Sequence, residues 1–215
     1  RKGRVPSRRA HQVSLIRSES LWLAQTNTYV VAPEPGGPAL VIDAPPDPEA
    51  VRDLLGKHDL SPVALLLTHG HVDHAGGAGG VVRKSGVRAY VHPDDDFLTL
   101  DPHAQLRMLM GMVPPGDFAP PEQFEALAHG QVLDLAGLTL EVIHTPGHTP
   151  GHCCFLLDAE ATLFSGDQLF AGSIGRTDLP GGSMADLVSS MRYRVMTLPG
   201  DTRVLPGHGP ETTIA

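Results

Sequence analysis

Cysteine and lysine are both scarce in this chain, and no long apolar run occurs along its 215 residues. The two cysteines, Cys153 and Cys154, are adjacent, a spacing that cannot form a useful structural disulfide. Within the apolar run Cys153-Cys154-Phe155-Leu156-Leu157 they read as small core residues rather than redox groups. No stretch approaches the roughly 18 uninterrupted apolar residues of a membrane span, and no apolar signal-peptide core stands near the start. These absences lead us to expect a soluble, cytoplasmic protein with no membrane partner. Only Lys2, Lys57 and Lys84 are lysines among 16 basic residues, and 24 acidic residues leave a net charge of -8. That balance argues against a nucleic-acid partner, because neutralising phosphates calls for a basic face.

What is present is β-rich and mixed. Strands are expected over 11–17, 21–32, 39–43, 63–68, 87–92, 131–135, 138–144, 152–158, 161–165 and 203–205. Asp47-Pro48 caps a helix running to about His58, and Ser183 with Asp186 starts another through about Met196. Without a strict βαβ rhythm, such a series implies two packed sheets with helices outside. Residues 1–10, with Arg1, Lys2, Arg4, Arg8 and Arg9, read as a flexible basic tail, and 11–215 as a single domain. Between Pro93 and His129 the pattern loosens around Leu106, Met108, Leu109, Met110 and Met112. Core packing is the favoured reading of these residues, and an adaptable wall over the site is the alternative.

The densest signal is Thr68-His69-Gly70-His71-Val72-Asp73-His74, which follows the apolar run Val63-Ala64-Leu65-Leu66-Leu67. His69 and His71 lie two apart on an extended segment, so both can grip one ion, while Asp73 and His74 lie past the turn, just before a helix opened by Ala75-Gly76-Gly77, and point toward a second position. Imidazole and carboxylate suit zinc, iron or manganese. One segment cannot close two metal sites. Three further potential ligands, His148, Asp167 and His208, each follow a strand-like run and sit beside glycine or proline. Seven other histidines (His11, His58, His92, His103, His129, His144 and His152) read mostly as surface or hydrogen-bonding groups. His152, four positions after His148, is a candidate to fix a ligand or the substrate. Asp43, ending the strand Ala39-Leu40-Val41-Ile42, is a candidate to orient His69 or His71 from behind, with a turn role as the alternative.

The ordered set His69-x-His71-x-Asp73-His74, His148, Asp167 and His208 resembles the metallo-β-lactamase superfamily over residues 27–209. The resemblance implies an α/β fold, an αββα sandwich with metals at one edge between the sheets. It implies that His69, His71 and His148 hold one divalent ion, that Asp73, His74 and His208 hold another, and that Asp167 bridges them. Zinc is favoured, with iron or manganese as alternatives. Asp73 would also be catalytic, orienting a metal-bridged hydroxide for attack on an acyl bond.

The segment around Gly175-Arg176-Thr177-Asp178 resembles the loop of glyoxalase II-like hydrolases, the hydroxyacylglutathione hydrolases, and also that of persulfide dioxygenases. The hydrolases cleave small-molecule thioesters such as S-lactoylglutathione, and there Arg176 would hold a substrate carboxylate or else pin the loop through Asp178. After His208 no C-terminal helical domain like theirs is expected, which leaves the thiol carrier open. The rivals are a single-iron persulfide dioxygenase, with His69, His148 and Asp167 holding the iron, and a noncatalytic or nucleic-acid-processing member of the fold.

Overall fold

The structure, a computed structural model, describes residues 13–215. The expected tail over 1–10, and His11 with it, lie outside the described residues. Two six-stranded sheets face one another. The first carries β1 (Leu15–Leu21), β2 (Thr26–Ala32), β3 (Pro38–Ile42), β4 (Ser61–Leu66), β5 (Arg88–Val91) and β6 (Glu125–Ala126) in that spatial order. The second carries β7 (Val132–Leu135), β8 (Leu138–His144), β9 (Cys153–Leu157), β10 (Thr162–Gly166), β13 (Arg203–Pro206) and β14 (Thr212–Thr213). A small ribbon, β11 (Leu169–Phe170) with β12 (Ser173–Ile174), follows β10. Helices α1 (Pro48–Gly56), α2 (Val72–Ala75), α3 (Ala78–Ser85), α4 (Asp96–Thr99), α5 (Pro102–Met110) and α6 (Met184–Ser190) complete the fold.

Strand periodicity builds the layers. In β3, Leu40 and Ile42 enter the core between the sheets, while Ala39 and Val41 face α1 and α3, where Val51, Leu54 and Val81 cover them. In β9, Cys153 and Phe155 pack between the sheets, whereas Cys154 and Leu156 turn outward to meet Val195. The result is the αββα sandwich. Both cysteines are buried and unpaired, as small core residues should be. Phe155 and Phe164 are fully enclosed in the central layer, and truncating either to alanine is expected to destabilise the fold by about 3–5 kcal/mol.

The caps stand as read: the Asp47 side chain accepts from the Ala50 amide, and the Ser183 side chain from the Asp186 amide. The second helix extends past α6 as a π-helical turn, Met191–Val195.

Three expectations change. The strand expected over 11–17 lies instead at Leu15–Leu21, and the one expected over 21–32 starts only at Thr26 after a turn, with Leu21 of β1 opposite Thr26 of β2. Trp22 and Gln25 take positive φ, 62° and 55°, at the turn between them. Nothing in Trp22-Leu23-Ala24-Gln25 marks a turn, since no glycine, proline or asparagine is present. The helix after the histidine run starts earlier than expected, at Val72, so Asp73 and His74 lie on α2 rather than before it. Finally, of the apolar residues over 106–112 only Leu106 joins the core, and Met108, Leu109, Met110 and Met112 are exposed. Of these, Leu109 and Met110 border the cavity over the site, so for them the wall reading replaces core packing.

Candidate metal centre

Four strands release the seven expected side chains at one edge of the sandwich. β4 leads through Leu67 and Thr68 to His69, His71, Asp73 and His74, β8 leads to His148, β10 to Asp167 and β13 to His208. Both β8 and β10 pair antiparallel with β9, and β10 runs parallel to β13, so these three strands end in the same direction. The Cys153 amide donates to the Thr68 carbonyl (2.7 Å), tying the second sheet to the first at this edge. Ligating atoms of His69, His71 and His148 lie within 4.8 Å of one another; so do those of His69, His74 and Asp167, and those of Asp73, His74 and His208. Asp167 stands between the groups, with Oδ1 3.3 Å from His74 Nε2 and Oδ2 3.5 Å from His148 Nε2 and 3.6 Å from His208 Nε2.

In four of the five rings the far side fixes which nitrogen faces the centre. His148 Nδ1 donates to the Arg176 carbonyl (2.7 Å), His74 Nδ1 to Asp43 Oδ2 (2.7 Å) and His208 Nδ1 to the Gln25 carbonyl (3.3 Å). The Thr68 hydroxyl donates to Asp43 Oδ2 (2.8 Å), so it can only accept from His69 Nδ1, 2.9 Å away. With Nδ1 protonated, the neutral forms of His69, His74, His148 and His208 all present an Nε2 lone pair to the centre. His74 Nε2 and His208 Nε2 are 3.1 Å apart, and His71 Nδ1 is 2.9 Å from His148 Nε2. His69 Nε2 and Asp167 Oδ1 are buried without any hydrogen-bond partner. Lone pairs and carboxylate oxygens gathered this tightly repel one another unless cations lie among them. The donor set fits borderline divalent cations, and the cluster is a binuclear His/Asp metal site.

The electrostatics agree. Burial, followed by the neighbouring imidazoles, holds His69 well below the usual histidine range, and burial with His148 pushes His71 down to about 3. Burial alone would also lower His74, but Asp167, Asp73 and Asp43 outweigh it and raise this ring well above its ordinary value. Burial would raise Asp167, yet His74, His148 and His208 draw it down to about 2. The carboxylates thus stay ionised at neutral pH, and His74 registers the negative potential they create.

Second-rank residues hold the ligands. Asp43 orients His74 directly and His69 through Thr68, so His74 replaces His71 as its partner. His152 Nε2 accepts from the Asp167 amide (3.1 Å) while its Nδ1 pairs with the Thr145 hydroxyl (2.8 Å). His152 therefore fixes the backbone of a ligand and does not reach the cavity. Asp95 and Gln105 went unseen in the sequence. Buried Asp95 accepts from the Gly70 amide (2.7 Å), the Thr149 hydroxyl (2.7 Å) and the Gly151 amide (2.6 Å), clamping two ligand loops together. Gln105 on α5 accepts from the Val72 amide and donates to the Gly70 carbonyl. Asp95 sits in an acidic run, Asp94-Asp95-Asp96, that reads as solvated surface; the proline before it, a helix-start signal, is the one hint that it caps inward.

A cavity of about 450 Å³ opens over the centre. His71, Asp73, His148, Asp167 and His208 form its floor, and Trp22, Leu23, Leu106, Leu109, Met110 and Leu179 much of its walls. Arg176 is at its rim, with Nε and a terminal nitrogen paired to the two Asp178 oxygens at 2.6 and 2.7 Å. Its carbonyl, rather than its guanidinium, touches a ligand. Outside the centre, His92 and His144 stack with ring centroids 4.0 Å apart near Asp94.

Fold and site together define a metal-dependent hydrolase with a binuclear centre. The chain belongs to the metallo-β-lactamase superfamily, whose family model matches residues 21–208, and within it to the glyoxalase II-like group. It is similar to the Mycobacterium tuberculosis protein Rv2581c, 41% identical over 203 residues that cover 89% of each chain. It is also similar to the hydroxyacylglutathione hydrolase GloC of Haemophilus influenzae, 36% identical over 176 residues and 82% of each chain. Among solved structures it resembles the B3 metallo-β-lactamase BLEG-1, with 36% identity, a TM-score of 0.84 and coverage of 93% of this chain and 94% of that one. TTHA1623, crystallised in a di-iron-bound form, gives 39% identity, a TM-score of 0.82 and coverage of 92% and 94%. No helix among the described residues is long and apolar enough to cross a membrane.

Proposed function

We propose that the protein hydrolyses small-molecule acyl thioesters, S-lactoylglutathione being the type substrate, at a two-metal centre. The observation carrying this reading is the likeness to GloC across four-fifths of both chains, joined to the inward-facing, donor-free ligand set. In this reading His69, His71 and His148 hold one divalent ion, Asp73, His74 and His208 the other, and Asp167 both. Zinc is the favoured metal, and the di-iron form of TTHA1623 makes iron the first alternative.

When bound, the two cations supply Lewis acidity toward the substrate carbonyl and bring the pKa of a shared water toward neutrality. The chain's own groups do the rest. Asp73, whose carboxylate remains about one-fifth exposed at the floor, accepts a hydrogen bond from the attacking water and aims it at the carbonyl carbon. Its Oδ2 lies 3.2 Å from the His208 Nε2 lone pair, close enough for both to take the same ion. The leaving thiolate, with a conjugate-acid pKa near 8.5, departs without a strong general acid. No serine or cysteine nucleophile is involved, and the two buried cysteines, whose pKa values burial raises, are unsuited to the part.

The likeness to BLEG-1 favours a second reading, hydrolysis of a β-lactam amide by the same machinery. Purified protein with its zinc and iron content measured should be assayed for S-lactoylglutathione hydrolysis, β-lactam opening and glutathione-persulfide-dependent oxygen uptake. Thioester cleavage as the dominant activity supports the proposal. β-Lactam opening alone, or oxygen uptake with one iron per chain and no cleavage, overturns it.

A further inference from the structure

The cavity walls show what kind of thioester fits. Two apolar surfaces face each other above the metal centre. One is the β1–β2 turn, with Trp22 and Leu23; the other is the outer face of α5, with Leu109 and Met110. Leu23 is 69% exposed and Leu109 and Met110 each 46%, although the fold has room to bury apolar side chains, as it does Leu106 on the same helix. Trp22 packs with the Val72–Leu106–Phe118 cluster, so this turn is anchored to α5 and the two walls form one continuous surface. Contiguous exposed apolar surface at the mouth of a site marks a ligand contact.

The same lining is poor in positive charge. Among the described residues Arg176 is the only lysine or arginine bordering the cavity, and Asp178 offsets its charge through a two-point pair at Nε and one terminal nitrogen. Glutathione carries two carboxylates and one ammonium. Seated here, its carboxylates would lose water against Leu23, Leu109, Met110 and Leu179 without gaining a cationic partner, and an unpaired carboxylate against an apolar wall is strongly disfavoured. An uncharged carrier or chain would instead cover exposed side chains and lose nothing.

Resting on the thioester reading above, we infer that the site selects acyl thioesters of an uncharged, largely apolar carrier over those of an anionic peptide thiol, with Leu109 and its neighbours setting the preference. The chemistry is unchanged: water adds its oxygen to the carbonyl carbon, the carbon–sulfur bond breaks, and acid and thiol leave. Leu109 is partly exposed and bears no ligand, so its replacement should leave the fold intact.

The test is a matched pair that shares one acyl group, S-butyryl-N-acetylcysteamine and S-butyrylglutathione. The uncharged ester is expected to show a kcat/KM at least about tenfold higher, the discrimination that one side chain's worth of apolar contact provides. Leu109→Arg, checked for unchanged metal content and melting temperature, should move the ratio toward the glutathione ester by about tenfold, chiefly through KM. Asp178→Asn, which releases Arg176, should move it the same way. Equal or better use of the glutathione ester by the unmodified protein, or a ratio that Leu109→Arg leaves unmoved, overturns the inference while thioester hydrolysis stands. Cleavage of neither ester overturns both.

Discussion

Asp43 Oδ2 accepts from His74 Nδ1 at 2.7 Å and from the Thr68 hydroxyl at 2.8 Å, so one buried carboxylate orients His74 directly and His69 through the threonine. The Asp43 backbone sits at φ 61°, a left-handed conformation that aspartate and asparagine tolerate better than most residues. Asp43→Asn therefore removes the charge without adding backbone strain. It is expected to weaken metal binding by about 10–100-fold, as loss of such a partner does elsewhere. Competition with a chelating dye measures this; an unchanged affinity would remove Asp43 from the site.

Asp95 joins the loop carrying His69 and His71 to the loop carrying His148. Asp95→Ala leaves the Gly70 and Gly151 amides and the Thr149 hydroxyl without their acceptor, each loss being worth about 1–3 kcal/mol when buried. A loss of roughly 3 kcal/mol in unfolding free energy is expected by denaturant titration, together with poorer metal retention. Asp95→Asn, which keeps one acceptor oxygen, should recover part of both. Wild-type stability in Asp95→Ala would refute the clamp.

Gly175 passes so close to the Asp167 carbonyl that a Cβ there would collide with it. Gly175→Ala should displace Asp167, the carboxylate shared between the two ligand groups, and lower the metal content per chain measured by elemental analysis. A fully loaded Gly175→Ala protein would show that the loop yields instead.

Acid should unload the site. His71 titrates near 3 when folded, against about 6.5 in an unfolded chain, so its stabilising contribution is complete above about pH 6.5 and is lost as the pH falls toward 3. His74 has the opposite sign: its folded value is raised, so in metal-free protein its contribution is present below about pH 6.5 and fades as pH rises through the folded value. Metal needs both rings unprotonated. The difference in melting temperature between metal-loaded and metal-free protein is therefore expected to shrink between about pH 8 and pH 5. A gap that holds or widens on acidification contradicts this.

The convergence of seven side chains is legible in the sequence because each ends a strand-like run and carries chemistry that ordinary composition rarely clusters. The layered fold is legible for a related reason: strands such as β3 and β9 are apolar on both faces, which only a buried sheet explains. Positioning groups are harder to see. Asp95 looks like any surface aspartate until Gly70 and Gly151, 25 residues before it and 56 after, arrive at its oxygens. The Trp22 turn relies on positive φ at residues that seldom adopt it, so no local signal marks where β1 ends and β2 begins. Leu106, Leu109 and Met110 recur at helical spacing, which specifies an apolar face but not whether protein or ligand covers it.

Zinc titration of metal-free protein, with acyl-thioester hydrolysis followed at each addition, tests the two-metal hydrolase most directly. The rate should climb until about two equivalents per chain are bound and then level off. A plateau at one equivalent, or activity that appears only with a single iron and consumes oxygen without releasing thiol, would contradict a two-metal hydrolytic centre.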